Sequence, residues 1–259
     1  MTSIAGDSLR ILIAGESWNT YAVHTKGASS YTTSSYSEGA EKLIEDLESS
    51  GHDVTFMPNH EAVEQFPFTA AELDDRFDVI ILSDLPSDSL LLPHAVFIEG
   101  ERRPNRMTAI GEWVSSGGAL LMVGGYMSFG GFEGRARYGS TPLADVLPVR
   151  MLDTDDRVET PEGIVPLVAS SHPVLKGIDG EWPYFLGYNR FTAKSGAETI
   201  LTVGDDPMLV VGAHGTGRVG AFASDCSPHW GSPAFMTWPH YRRFWSQLVQ
   251  WLADGDAVG

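Results

Sequence analysis

The sequence predicts an α/β fold built on a mostly parallel β-sheet with helices on both faces. Short apolar runs, typical of buried strands, alternate in the first half of the chain with segments of helical periodicity. Capping residues and glycines stand where these helices would begin and end. At 259 residues the chain is long enough for one domain with a full core, so we expect a single domain over residues 1–259.

Four apolar runs predict neighbouring strands of the sheet: residues 10–15, 53–56, 78–83 and 119–123. Helical segments separate them. Thr69 and Glu72 have the spacing of a capping box, and Asn105 is placed to cap a helix that runs through Ser116. Residues 18–37, rich in Ser, Thr and Tyr, predict a long loop after the first strand. Loops of this length in compact domains often carry function.

The C-terminal part of the chain predicts a hairpin and a closing helix. Residues 208–225 form two apolar runs around His-Gly-Thr-Gly, a pattern typical of a β-hairpin. Residues 240–255 have the periodicity of an amphipathic helix. The five aromatic residues from Trp238 to Trp251 are more than the core-facing side of one helix can bury. We therefore expect at least one to face a loop or a partner subunit, and a homo-oligomer is the expected assembly.

The charge and cysteine content exclude several classes of partner. The formal net charge is -17, and an acidic surface repels nucleic-acid phosphates and anionic membranes. Cys226 is the single cysteine, so no intrachain disulfide can form, as is usual in a reducing cytosol. The N-terminal apolar run is too short for a signal peptide or membrane span. We expect a cytoplasmic protein with a small-molecule ligand and neither a nucleic-acid nor a membrane partner.

Candidate site residues follow the predicted strands, because ligands of open parallel sheets bind beyond the carboxyl ends of the strands. If these ends converge, they bring together one thiol, two imidazoles, several carboxylates and two indoles. The residues are Glu16, Ser17 and Trp18 after the first strand, with His24 on the following loop; Ser83 and Asp84 at the third; Tyr126, Met127 and Ser128 after the fourth; and Asp225, Cys226, His229 and Trp230 after the hairpin.

Four stretches of the chain resemble one known family. They are "GGALLMVGGYMSFGGFEGRARYGSTPLADVLPV", "DDRVETPEG", "EWPYFLGYN" and "SDCSPHWG". They are similar to bacterial and archaeal cytoplasmic proteins of uncharacterised function that are classed with the glutamine amidotransferases. The resemblance covers nearly the whole chain. It implies a flavodoxin-like fold of the class I glutamine amidotransferase type.

Class I glutamine amidotransferases carry Gly-x-Cys-x-Gly at a sharp turn after a strand, with a downstream His and a carboxylate. The thiolate attacks the glutamine amide while the His moves the proton. On "GGYMSFGG" this pattern places Tyr126, or Met127, at the nucleophile position. A phenol with a pKa of about 10 and a thioether are both unsuited to the task. We expect an elbow-shaped turn whose backbone N–H groups can hold an anion, without glutamine hydrolysis.

The motif "SDCSPHWG" holds the remaining catalytic candidates, Asp225, Cys226 and His229. The resemblance makes His229 the best match to the family's base. Cys226 is either a displaced nucleophile, its thiol pKa lowered by a nearby imidazole, or a small buried residue. Ser128 lacks the frame of a catalytic serine and is interpreted as a turn residue. Arg137 could bind an anionic substrate or lie in solvent.

The sequence predicts neither a metal nor a cofactor. His24, Asp84, Asp225 and His229 could form a hard-ligand set, but no metal-binding spacing accompanies them. We therefore predict an amidotransferase-like protein without the elbow Cys that binds or processes a small polar metabolite between aromatic walls. The alternative is a non-catalytic sensor or assembly subunit. An enzyme should hydrogen-bond His229 to another polar side chain in the pocket, whereas a scaffold should bury it against apolar neighbours.

Overall fold

The structure is a computed structural model that describes residues 8–254. Its strands are β1 (Arg10–Gly15), β2 (Ser17–Lys26), β3 (Ser29–Glu38), β4 (Asp53–Met57), β5 (Val79–Ser83), β6 (Ala119–Val123), β7 (Val149–Met151), β8 (Arg157–Ile164), β9 (Leu167–Val168), β10 (Phe185–Asn189), β11 (Phe191–Ala193), β12 (Glu198–Val203), β13 (Asp206–His214) and β14 (Gly217–Phe222). Its helices are α1 (Glu41–Ser49), α2 (Asn59–Gln65), α3 (Ala70–Arg76), α4 (Ser87–Leu91), α5 (His94–Phe97), α6 (Arg106–Ser115), α7 (Leu143–Val146), α8 (Pro233–Met236) and α9 (Tyr241–Ala253).

An eight-stranded sheet forms the centre of the molecule, in the order β4-β1-β5-β6-β14-β13-β12-β9. Strands β4, β1, β5, β6 and β14 are parallel, and the last three strands join in antiparallel orientation. The four strands predicted from the apolar runs are neighbours, as expected. The fold is therefore α/β with a mixed, mostly parallel sheet, and the prediction of the fold class is confirmed.

The strand register brings the carboxyl ends of the parallel strands level with one another. Gly15 pairs with Ser83, Ser83 pairs with Val123, and Val123 pairs with Phe222. Each of these residues is the last of its strand. The residues that follow the four strands therefore emerge side by side at one edge of the sheet.

Two groups of helices enclose the sheet, which explains why β5 and β6 are rich in apolar residues and buried along their whole length. Helices α1 and α9 contact each other, and α6 contacts α3, α4 and α7. The predicted caps are present. Thr69 and Glu72 form a reciprocal capping box at α3, and Asn105 accepts hydrogen bonds at the start of α6. No helix among residues 8–254 has the length and apolar character needed to span a bilayer.

The C-terminal hairpin and helix are confirmed as β13–β14 and α9. Phe244, Leu248 and Leu252 on α9 are buried. At least one of the five aromatic residues was expected to face a loop or a partner subunit. Trp238 faces a loop, because its ring centroid lies 4.6 Å from that of Trp182 in the loop before β10. The expected contact between an aromatic residue and a loop is therefore confirmed. The expected homo-oligomer stays a prediction.

The predicted loop after the first strand is instead a β-hairpin, so that prediction was wrong. Strands β2 and β3 pair in antiparallel register from Ser17 with Glu38 to Lys26 with Ser29. Thr, Tyr and Val favour extended backbone, which explains the ladder. The usual apolar alternation is missing because nearly every side chain beyond Ser17 is exposed and no face packs on the core. We call residues 17–38 the arm.

Candidate functional site

A pocket of about 580 Å³ opens where the parallel strands end. Residues that follow β1, β5, β6 and β14 all contribute to its lining, because the register places these four strand ends side by side. The pocket is lined by Glu16, Trp18, Asp84, Tyr126, Met127, Phe132, Asp225, Ser227, Pro228 and His229.

Three carboxyl groups form the floor of the pocket. Glu16 follows β1, Asp84 follows β5, and Asp225 follows β14. Glu16 is only 1% exposed and Asp225 only 4% exposed. The hydroxyl group of Ser83 donates a hydrogen bond to Glu16, and the backbone N–H of Ser227 donates to Asp225. We call Glu16, Asp84 and Asp225 the acidic floor.

Glu16 and Asp84 have backbone conformations that non-glycine residues rarely adopt. Their φ angles are +43° and +45°. The chain crowds at this point, since a Cβ on Gly15 would lie 1.8 Å from the carbonyl oxygen of Ser83. Hydrogen bonds from Glu16 N to Ser83 O and from Asp84 N to Ser128 Oγ hold the two turns. Such conformations persist where the surroundings enforce them, and they are concentrated at functional sites.

Burial raises the pKa of each carboxyl group in the acidic floor. It raises the pKa of Glu16 to about 7, and the charge of Asp84 adds to the effect. The pKa of Asp225 lies well above its ordinary value because of burial and then the charge of Glu16. Burial also raises the pKa of Asp84, against the opposing effects of the Met127 N–H group and His229. The floor therefore retains protons at pH values where ordinary carboxyl groups are ionised.

Aromatic rings form one wall of the pocket. The ring of Tyr126 is stacked with that of Phe132 at 6.1 Å between centroids and meets the His229 ring edge-on at 4.6 Å. The Arg157 guanidinium lies 4.4 Å from the Tyr126 centroid and 4.3 Å from the Phe132 centroid, a cation–π arrangement. Trp230 is buried beside this wall, and its indole N–H donates to Glu159. The contacts fix the rings before any ligand binds.

The turn after β6 brings Tyr126 and Met127 to the lining of the pocket. It leads into a short 3-10 helix, Phe132–Gly134. Positive φ angles occur at Gly125, Phe129 and Gly131 rather than at Tyr126 or Met127. The elbow shape of this turn stays a prediction.

Several N–H groups of this turn already have acceptors, which contradicts the expectation that they hold an anion. Gly125 N donates to Asn189 Oδ1 at 2.9 Å, and Met127 N donates to Asp84 Oδ1 at 2.6 Å. Gly130 N and Gly131 N donate to the two oxygens of Asp156. The turn is thus tied to side chains of its own chain.

Cys226 is buried and does not line the pocket, which agrees with the alternative of a small buried residue more than with a displaced nucleophile of lowered thiol pKa. Its Sγ lies 3.6 Å from Ser83 Oγ. Burial, followed by the charges of Glu16 and Asp225, raises the thiol pKa well above its ordinary value. Carboxyl neighbours, and not an imidazole, dominate its surroundings, so the reactive thiolate is disfavoured.

Of the other predicted residues, Ser17 and Ser128 form hydrogen bonds beside the pocket, whereas His24 and Arg137 lie away from it. Ser17 is buried and accepts a hydrogen bond from Asn59 N, while Ser128 donates to Val123 O as a turn serine does. His24 and Arg137 do not line the pocket. His24 lies on the arm, stacked on Tyr31 at 4.7 Å between centroids and hydrogen-bonded to Thr33, and Arg137 is exposed.

His229 meets neither of the two expectations that would separate an enzyme from a scaffold. It is exposed, and within residues 8–254 its ring nitrogens form no hydrogen bond. Its ring is instead stacked on Trp230 at 5.7 Å and lies against Tyr126. The ring therefore acts as part of the aromatic wall in this geometry.

The residues that could hold a metal differ from those that the sequence suggested. Among the described residues, Glu16, Asp225 and Cys226 bring one ligand atom each within 4.8 Å of the others. A metal would require the Cys226 thiolate, which the raised thiol pKa opposes. His24 lies on the arm and is not part of this group.

Sequence reasoning overlooked Phe132, Ser227 and Asp156, which shape the pocket or support its wall. It placed Glu16 among the strand-end residues but gave it no role. The signal for Glu16 was its position directly after the first apolar run. No local signal distinguishes Asp156, which becomes important only because the fold brings it to the turn at Gly130 and Gly131.

Comparisons with known proteins agree with this architecture. Residues 10–254 match the model of a family described as "Putative glutamine amidotransferase" (GATase1_like). The cytoplasmic protein STM3548 from Salmonella typhimurium is 46% identical, with a TM-score of 0.91 over 94% of this chain and 99% of that one. The cytoplasmic protein STM1381 from Salmonella typhimurium LT2 is 44% identical, with a TM-score of 0.90 over 93% and 98% of the two chains. Both descriptions agree with the predicted cytoplasmic location. No curated protein matches the chain.

Proposed function

The chain belongs to this glutamine amidotransferase-like family, and from its pocket we propose that it binds a small polar metabolite without hydrolysing glutamine. The observation that carries the proposal is the pocket at the strand ends, with three carboxyl groups on its floor and aromatic rings on its wall. Its volume of about 580 Å³ is within the usual range for small-molecule sites.

The lining of the pocket indicates the chemistry of the ligand. Carboxyl oxygens accept hydrogen bonds, so the acidic floor favours a ligand that offers hydroxyl or amino hydrogens. The rings of Trp18, Tyr126 and Phe132 favour a flat or weakly polar face, such as that of a sugar or a heterocycle. Among residues 8–254 no Lys or Arg lines the pocket, which disfavours a phosphate group on the ligand.

Glu16 supports proton exchange with a bound molecule. With a pKa of about 7, this carboxyl group is partly protonated at neutral pH and can both donate and accept a proton. His229 has no hydrogen-bonded partner in the described chain to orient it as a base. These two features favour binding with an exchangeable proton over nucleophilic catalysis.

A thermal-shift screen tests the proposal with a library of hydroxylated and amino metabolites. We expect at least one compound to raise the melting temperature of the wild type and of the matched control Asp88→Asn, which alters an exposed carboxylate on α4. The shift should be smaller for Asp84→Asn, because the floor then loses an acceptor. If no compound shifts the wild type, or if Asp84→Asn responds as the wild type does, the proposal is wrong.

A further inference from the structure

Within residues 8–254, every group that donates a hydrogen bond to the acidic floor is neutral. The donors to Glu16 and Asp225 are a serine hydroxyl group and a backbone N–H group. Asp84 accepts from the backbone N–H of Met127 through Oδ1, and its Oδ2 accepts no hydrogen bond in this part of the chain. The floor therefore lacks the opposite charge that stabilises an ionised carboxylate away from water.

Other partly or fully buried carboxylates of the chain have the partners that the floor lacks. Asp78 is paired with the guanidinium of Arg10, and Asp46 with the ammonium of Lys42. Asp156 instead accepts hydrogen bonds from three N–H groups, which occupy both of its oxygens. In the part of the chain that the structure describes, the floor has neither an ion-pair partner nor a donor for every oxygen.

The basic side chains around the pocket leave the floor free to receive a cation. His229 lines the pocket, and its charge acts on Asp84, but no hydrogen bond joins the two among the described residues. Arg157 lies over the rings of the wall and forms ion pairs with two carboxylates beside it in sequence. Its guanidinium is therefore already neutralised.

The spacing of the floor favours an ammonium group over a single metal ion. The donor atoms that bind one ion lie within about 5 Å of one another, because each is about 2.0–2.6 Å from the ion. Among the described residues, Glu16 and Asp225 meet this condition with Cys226, and Asp84 does not belong to the group. An ammonium group binds its acceptors at longer distances and can donate three hydrogen bonds.

We propose that the ligand is a small organic amine whose ammonium group lies on the acidic floor and whose ring or apolar body lies against the aromatic wall. This inference rests on the proposed function, since it concerns the same pocket. The partly exposed indole of Trp18 also lines the pocket and offers a face to a cation. The formal net charge of -17 attracts cations to the molecule as a whole.

Isothermal titration calorimetry with matched pairs of amine and alcohol tests the proposal. The pairs are tyramine with tyrosol and cyclohexylamine with cyclohexanol, whose members differ only in an ammonium or a hydroxyl group. We expect at least one amine to bind the wild type about tenfold more tightly than its alcohol, because hydrogen bonds between charged groups are stronger than neutral ones.

Two variants locate this preference in the pocket. Asp84→Asn keeps an acceptor for Met127 N but removes the charge, so the preference for the amine should fall to about threefold or less. Asp88→Asn removes an exposed carboxylate and should keep the wild-type preference. Circular dichroism checks that both variants remain folded.

The outcomes separate this inference from the proposed function. If the alcohols bind as tightly as the amines, the ligand is not selected by charge and the inference is wrong, while the proposed function stands. If none of the four compounds binds, both are contradicted. A preference that Asp84→Asn retains would place the amine elsewhere. Stabilisation of the wild type by Mg²⁺ or Zn²⁺ alone, lost in Asp84→Asn, would make the floor a metal site and overturn the inference.

Discussion

Glu16 links the pocket to the stability of the protein. Its folded-state pKa of about 7 lies above the ordinary value of 4.5, so the folded chain holds this proton over a range in which the unfolded chain has lost it. Its contribution to stability is therefore complete below about pH 4.5 and is lost as the pH rises through 7, a change of roughly 3 kcal/mol. The raised pKa values of Asp84 and Asp225 act in the same direction.

Glu16→Gln should flatten this pH dependence. The amide cannot ionise but keeps the size of the side chain and an acceptor for Ser83. We expect the free energy of unfolding, measured with urea, to equal that of the wild type at pH 5 and to exceed it by roughly 2–3 kcal/mol at pH 8. Glu162→Gln, at an exposed position, should follow the wild type at both pH values. An unchanged slope in Glu16→Gln would mean that Glu16 is not the titrating group.

The element that sets the pocket wall is the turn after β6, and Asp156 is its main support. The carboxylate accepts hydrogen bonds from Gly130 N at 2.7 Å, Gly131 N at 2.9 Å and Asn189 Nδ2 at 2.8 Å. Asp156 itself is buried. The turn thus depends on one side chain that comes from a distant part of the sequence.

Asp156→Ala should destabilise the protein by about 3 kcal/mol or more, because it leaves three buried donors without an acceptor. The measurement is the free energy of unfolding in urea. Asp153→Ala removes an exposed carboxylate from the same segment and should change stability by less than about 0.5 kcal/mol. Equal losses in the two variants would show that the hydrogen bonds of Asp156 do not hold the turn.

The sequence alone predicts those strands and helices whose apolar runs or capping residues are visible in a short stretch of the chain. Strands β1, β4, β5 and β6 were predicted from apolar runs, and α3 and α6 from their caps. The arm was missed because its strands pair only with each other, so no buried face marks them in the sequence. The position of the acidic floor was predicted, because Glu16, Asp84 and Asp225 all stood at or shortly after strand ends. The burial that raises their pKa values could not be predicted, because it depends on the whole fold.

The molecule as a whole has the fold of the amidotransferase-like family. The turn after β6 holds Tyr126 and Met127 in place of the catalytic Cys of a class I glutamine amidotransferase. Tyr126 and Met127 line the pocket there, and Cys226 is buried with a raised thiol pKa. We therefore expect the purified protein to release no ammonia from glutamine above background, and Cys226→Ala to leave that background unchanged. Turnover that disappears in Cys226→Ala would establish Cys226 as the nucleophile.

A ligand should bind in the pocket where the ends of β1, β5, β6 and β14 converge, and a crystal structure with a bound metabolite tests this. The compound should be the strongest stabiliser of the wild type in the thermal-shift screen. We expect electron density over the acidic floor, with a hydroxyl or amino group within hydrogen-bond distance of Glu16 or Asp84 and a face against Tyr126. Density only at a site away from these residues, such as the exposed surface at Phe97 and Ile98, would contradict it.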